Sequence, residues 1–173
     1  ILQMNYLTHQ LLNAEEINLI KQELSEEILG WEDGKYTAGS HASKVKNNLQ
    51  LDRKSALSKE LSFLVKQKIL NDDLIKSFTL PKHIHGIMFT KSSKGMNYGR
   101  HIDNAYMSSG RADLSFTIFL SEKSQYQGGE LLIESLTSEN KFKLNRGEII
   151  IYPSTYLHSV NEVLNGERLV CVG

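Results

Sequence analysis

His101 and Asp103 stand two positions apart in Tyr98-Gly99-Arg100-His101-Ile102-Asp103. On an extended strand, alternate residues share a face. Both side chains can then reach one metal ion while Ile102 turns away. An imidazole and a carboxylate leave most of a metal's coordination sphere open, so a third ligand is needed. His158, in Pro153-Ser154-Thr155-Tyr156-Leu157-His158-Ser159, offers one from the C-terminal part of the chain.

A His-x-Asp pair alone is a weak signal, and a distant histidine adds little unless the fold brings it near. Arg168, on a following strand, makes the set much more specific. The Asn165-Gly166 turn predicts a hairpin that sets Arg168 beside the strand of His158. There a guanidinium can grip a carboxylate through paired hydrogen bonds. Two imidazoles and one carboxylate suit Fe(II) and leave three adjacent positions open. A 2-oxo acid fills two and dioxygen the third. Zinc accepts the same donors, but a zinc hydrolase needs a nearby general base and has no use for a buried arginine.

Other polar residues carry less. His83 and His85 also stand two apart, but read better as polar residues on an exposed strand face. His9 and His41 lie in segments without partner ligands. Cys171 reads as a small buried apolar residue. Asp113 fits a structural loop bond better than a place lining the site. Tyr98 fits equally well as a wall of the substrate opening or as packing. Lys44 and Lys46 read as a solvated face and Trp31 as packing. The segment Asn104 to Arg111 leaves directly from the metal ligands and fits either a lid or an ordinary surface loop.

These residues need a scaffold, and the pattern supplies one. Asn13 and Glu16 have the spacing of a capping box. Ile17, Ile20, Leu24 and Ile28 continue as one apolar stripe, with Gly30 as the stop. The stretch from Trp31 to Gln50 predicts irregular structure or short strands. A second helix is expected from Ser55 to Leu70, with Leu57, Leu61, Leu64 and Val65 buried. Asn71 stops it, and a further helical turn follows over Asp72 to Phe78.

After Pro81 the period changes to that of strands. They are expected at His83–Thr90, Asn97–Ile102, Asp113–Leu120, Glu130–Glu134, Lys141–Leu144, Glu148–Tyr152, Leu157–Val163 and Arg168–Val172. Asn145-Arg146-Gly147 reads as a hairpin turn. Such closely spaced short strands predict an antiparallel sandwich or barrel. A jelly roll would bring His101 and His158 to one mouth.

The 173 residues predict one domain, with 1–80 a helical support region and 81–173 the β core. Apolar residues make up 40% and charged residues 23%, an ordinary globular composition. Lys plus Arg and Asp plus Glu each number 20. That balance argues against nucleic acid and anionic membranes as partners. No run has the length of a membrane span, and the first residues lack a signal-peptide pattern. Met4 fits as a native start. One cysteine excludes an internal disulfide and fits a reducing, cytoplasmic setting.

The chain resembles the Fe(II)- and 2-oxoglutarate-dependent dioxygenases, specifically the PKHD-type (prolyl/lysyl hydroxylase domain) hydroxylases of bacteria and their phages. The resemblance runs through Trp31-x-Asp33-Gly34-x-x-Thr37-Ala38-Gly39 and Val45-Lys46-Asn47-Asn48-x-Gln50. It continues in Tyr98-Gly99-x-His101-x-Asp103, Asp113-Leu114-Ser115, Phe119-Leu120-Ser121 and Tyr126-x-Gly128-Gly129-Glu130-Leu131. It closes with Leu144, Gly147, Tyr152-Pro153-Ser154, Leu157-His158-x-Val160 and Gly166-x-Arg168.

The resemblance implies a double-stranded β-helix, a cupin-like jelly roll with helices packed on one sheet. It implies His101, Asp103 and His158 as iron ligands and Arg168 as the binder of the far carboxylate of 2-oxoglutarate. No catalytic group is expected beyond the metal centre. The implied reaction consumes O2 and 2-oxoglutarate, releases succinate and CO2, and hydroxylates a C–H bond, with L-ascorbate as a supportive reductant. The substrate is a prolyl or other amino-acid side chain of a protein, or a small molecule, and an oligomer is compatible with the family. Members usually run on into a Trp-containing segment and a helical tail, whereas this chain stops at Gly173. Two other readings use the same ligands: a cupin-like protein that holds metal without turnover, and a nucleic-acid oxidative demethylase.

Overall fold

The computed structural model describes residues 6–26, 30–107, 109–135 and 137–173. β1 (Leu7–Gln10) precedes α1 (Ala14–Glu26). Three short strands follow, β2 (Trp31–Asp33), β3 (Lys46–Asn47) and β4 (Leu49–Leu51), then α2 (Ala56–Asn71) and α3 (Asp73–Thr79). The remaining strands are β5 (Met88–Ser93), β6 (Asn97–His101), β7 (Tyr106–Met107), β8 (Gly110–Arg111), β9 (Leu114–Phe119), β10 (Tyr126–Gly128), β11 (Leu131–Glu134), β12 (Glu139–Phe142), β13 (Glu148–Pro153), β14 (Leu157–Val160) and β15 (Val163–Val172).

The helices begin where the sequence marks them. Asn13 Oδ1 accepts from Glu16 N at 2.9 Å, and Glu16 Oε2 accepts from Asn13 N at 3.0 Å. This reciprocal cap satisfies two donors that the first turn would otherwise leave bare. Ile17, Ile20 and Leu24 are buried along α1. Ile28, expected to extend that stripe, lies outside the described residues. Ser55 caps α2, and Asp72 ends α2 and caps α3 through Ile75 N at 2.9 Å. Leu61, Val65 and Ile69 are the buried face of α2. Each such aliphatic side chain contributes about 1.5–3 kcal/mol on burial.

The strands form a jelly roll of two facing antiparallel sheets. The larger runs β1-β13-β9-β15-β5-β4-β2, with β10 added against β15, and the smaller runs β12-β11-β14-β6-β3. The larger sheet is apolar on both faces. Ile149, Ile151, Phe116, Ile118, Leu169, Cys171 and Phe89 pack against the helices. Ile150, Tyr152, Phe119 and Val170 alternate with them and meet Leu131, Ile133 and Phe142 of the smaller sheet. Cys171 is fully buried, in the apolar role expected of it. Residues before position 81 also supply strands to both sheets. Among the described residues no helix is long and apolar enough to cross a membrane.

Three local expectations are corrected. Strand β5 begins at Met88, so His83 and His85 lie on no strand. Asn145-Arg146-Gly147 crosses from the smaller sheet to the larger, because β12 and β13 belong to different sheets. Gly166 has φ 76 yet sits inside the continuous strand β15, opposite Tyr126. β14 and β15 therefore form no hairpin, and Arg168 faces the His158 strand from the opposite sheet instead of lying beside it.

Candidate metal centre

His158 on β14 lies directly opposite His101 on β6. The next pair in this ladder is Val160 with Tyr98, so β6 carries an extra residue between the pairs. That bulge resets the alternation of β6. Tyr98 and His101 both turn inward as a result, while Arg100 points out to Glu134. The two rings stack with centroids 3.7 Å apart and planes at 18°.

Asp103 completes the group. His101 Nε2 is 3.7 Å from Asp103 Oδ1, and His158 Nε2 is 3.5 Å from Asp103 Oδ2. The ligand atoms of the three residues all lie within 4.8 Å of one another. Both histidines are buried and Asp103 is half-buried. His101 Nδ1 donates to Gly99 O at 2.8 Å and His158 Nδ1 to Tyr156 O at 2.9 Å. A carbonyl only accepts, so in each ring the hydrogen sits on Nδ1 and the lone pair on Nε2. Both lone pairs face the carboxylate. Burial, followed by the neighbouring His158, holds the His101 imidazole down to about 4. The ring is therefore neutral, as a ligand must be.

Asp103 is fixed from two sides. Ser115 Oγ donates to its Oδ2 at 2.6 Å, and its backbone N donates to Ser154 O at 3.2 Å. Ser154 is itself fully buried and donates to Ala112 O and Asp113 O. Among the described residues the Asp113 carboxylate pairs with Arg111 on the surface.

Arg168 enters the same interior from the larger sheet. It is 4% exposed, and its guanidinium lies 5.5 Å from the Phe119 ring. Among the described residues no carboxylate comes within ion-pair distance of it. Its Nε and the Tyr126 Oη are both buried, and neither makes a well-aligned hydrogen bond among the described residues, although Tyr126 lies close enough to favour the charge on the guanidinium. Burial disfavours the charge on Arg168, and the Tyr126 and Tyr152 phenols, the first also through a hydrogen bond, together with Glu130 offset this in part. A buried cation beside a phenol and without a paired carboxylate fits an anion. Gly129 makes the room: a Cβ there would lie 3.0 Å from Arg168 Cδ.

The donor set fits Fe(II), and the orphaned guanidinium fits a dicarboxylate. A family model described as the 2OG-Fe(II) oxygenase superfamily matches residues 87–173. The chain belongs to that superfamily. This oxygenase is 72% identical over 170 residues to a PKHD-type hydroxylase of Prochlorococcus marinus strain MIT 9215, covering 98% of the chain and 77% of the relative. Its fold resembles that of a Pseudomonas putida prolyl-4-hydroxylase, with TM-score 0.66, 17% identity, and 97% and 90% of the two chains covered. A Trichoplax adhaerens prolyl hydroxylase, solved with a peptide fragment of hypoxia inducible factor, gives TM-score 0.70, 13% identity, and 97% and 81% coverage. The chain is thus an oxidoreductase of the Fe(II), 2-oxoglutarate and O2 class.

Other residues fall where the oxygenase has different uses for them. His85 binds Ser109 Oγ and Arg111 O, each at 2.7 Å, and so ties down the β7–β8 pair that follows Asp103. His9 pairs with Asp72 at 2.8 Å. A groove of about 410 Å³, bounded by His41, Lys44, Val45, Arg100, Ile102 and Leu157, opens on His101. Lys44 is exposed as expected. Lys46 is not: it is 5% exposed and points inward beside Tyr98, its partner across β3 and β6. Ser115, Tyr126 and Lys46 all stand in the motifs quoted above. Alternation along β9 gives the direction of Ser115, but nothing local gives that of Lys46.

Proposed function

We propose that this oxygenase is a hydroxylase that holds iron on His101, Asp103 and His158 and grips the distal carboxylate of 2-oxoglutarate with Arg168. One observation carries the reading. Three ligand atoms converge between the sheets, and Arg168, buried on the inner face of the larger sheet with no carboxylate paired to it among the described residues, supports the cosubstrate role. Bound iron supplies the chemistry that couples conversion of 2-oxoglutarate and O2 to succinate and CO2 with hydroxylation of a substrate C–H bond.

The remaining tasks belong to side chains. The carbonyls of Gly99 and Tyr156 keep both Nε2 lone pairs aimed inward. Ser115 keeps the Asp103 carboxylate turned towards them. Arg168 fixes one end of the cosubstrate, so the 2-oxo end is directed at the triad. Phe119, Ile133 and Val170 exclude water from the space between the sheets. Tyr98 lines the approach beside His101.

The substrate we propose is a prolyl or other amino-acid side chain, in a protein or a free small molecule. The naming of the Prochlorococcus relative as a PKHD-type hydroxylase supports this, as do the prolyl hydroxylases among the structures of like fold. The whole chain acts as one domain, since strands from before residue 81 complete both sheets. The single buried cysteine supports a cytoplasmic setting. The test is succinate formation by purified protein given Fe(II), 2-oxoglutarate, O2 and a library of amino acids and peptides. Protein that makes no succinate and binds no 2-oxoglutarate overturns the reading.

A further inference from the structure

Arg168 is not the only buried cation in this interior without a carboxylate. Lys46 enters from the edge strand of the smaller sheet, in register with Tyr98. Its Nζ lies 5.2 Å from the centre of the Tyr98 ring, the ring that stacks on His101. The ammonium donates to Thr37 Oγ1 at 3.3 Å and to Gln50 Oε1 at 3.5 Å, both long bonds. An ammonium has three hydrogens to place, and the third meets no acceptor among the described residues. Asp33 and Asp103 attract it only from beyond ion-pair distance.

The site is built. Gln50 pairs with Thr90 across β4 and β5, and Thr90 with Val170 across β5 and β15, so Gln50 faces the interior from the larger sheet. Lys46 thus spans the gap between the sheets at their open edge. Its stem is held beneath Gly34, where a Cβ would come within 3.0 Å of Lys46 Cε. A methionine would fill this volume without burying a charge, and a purely structural position has no use for an ammonium here. Arg168 accounts for the distal carboxylate of 2-oxoglutarate and the triad for its other end. Lys46 is left over, next to the metal centre.

We propose that Lys46 is the substrate anchor: its ammonium binds a carboxylate of the substrate and sets a neighbouring C–H bond beside the triad. The assignment rests on the reading of the triad and Arg168 given above. It names the substrate class as amino-acid-like compounds or chain ends that carry a free carboxylate. Burial pushes the ammonium down to about 8, and an arriving carboxylate supplies the counter-charge that favours the protonated form.

The experiment is calorimetry on the full chain loaded with Mn(II) and 2-oxoglutarate. The probes are N-acetyl-L-proline, N-acetyl-L-lysine and their methylamides. Wild-type protein is expected to bind an acid about ten-fold or more tightly than its amide. Lys46→Met, which keeps the stem, should lose that preference, and Lys46→Arg should restore part of it. Equal preference in wild type and Lys46→Met overturns the assignment, as does failure of wild-type protein to bind either acid. A Lys46→Met protein whose main defect is weaker 2-oxoglutarate binding moves Lys46 to the cosubstrate and also overturns it. Wild-type protein that binds no 2-oxoglutarate sinks the functional reading itself, a distinct result.

Discussion

Ser115 reaches across the gap between the sheets to donate a 2.6 Å hydrogen bond to Asp103 Oδ2. The candidate carboxylate ligand stands at the end of the smaller sheet, and its orienting partner belongs to the larger. Outer partners of this kind typically account for about 10–100-fold in metal affinity. Ser115→Ala should lose metal affinity by that order while keeping its fold. Competition against a chelating dye measures it. Unchanged affinity would mean that the backbone bond from Asp103 to Ser154 suffices.

With Arg168 as the proposed cosubstrate anchor, its buried charge should cost the unliganded fold and favour the loaded one. A buried charge without a counter-ion carries an unrecovered desolvation cost, which an apolar group of similar size removes. Arg168→Met should therefore unfold at the same temperature as wild type or higher. Its 2-oxoglutarate affinity should fall by about 2–5 kcal/mol, the cost of breaking a buried charge pair. Differential scanning calorimetry and titration with Mn(II) present read the two quantities separately. Unaltered 2-oxoglutarate binding would remove Arg168 from the site.

Parts of this arrangement are legible in the chain and parts are not. The His101–Asp103 spacing works because β6 is extended up to His101 and leaves the ladder there. The Asn13–Glu16 box and the apolar stripe behind it are local signals, and α1 begins where they place it. The Asn165-Gly166 hairpin fails for a physical reason. Positive φ at Gly166 is required not by a reversal but by close approach, since a Cβ there would lie 2.0 Å from Gln125 O. A sequence marks positive φ without saying which use it serves. Lys46 is missed because β3 is two residues long. No periodicity can show in so short a strand, and the burial comes from Tyr98 and Gln50, distant along the chain or in the facing sheet.

Gly129 lies against the stem of Arg168, the proposed cosubstrate anchor. It has φ +67, and an added Cβ would meet Arg168 Cδ at 3.0 Å, with Tyr126 Cε2 and Val163 Cγ2 at 3.1 Å. Gly95 is the control, with φ +83 and nothing within 4 Å of an added Cβ. Both alanine variants should lose about 1–3 kcal/mol of stability from the left-handed backbone. Only Gly129→Ala should also weaken 2-oxoglutarate binding, because it displaces the arginine stem. Equal binding in both variants would show that Arg168 tolerates the shift.

Buried neutral His101 makes the metal-free protein sensitive to acid. Its folded value is about 4, against 6.5 for the unperturbed side chain, with burial the larger cause and His158 the next. Between those values the unfolded chain binds more protons than the folded one, so stability rises with pH across the window. The contribution is complete above about pH 6.5 and is lost as pH falls towards 4, by on the order of 3 kcal/mol. Urea unfolding of metal-free protein from pH 7 to pH 4.5 measures this slope. Carboxylates titrating in the same range affect wild type and His101→Gln alike, so the difference between the two proteins isolates the imidazole. His101→Gln should show the shallower slope, and parallel curves would mean that His101 charges inside the fold without penalty.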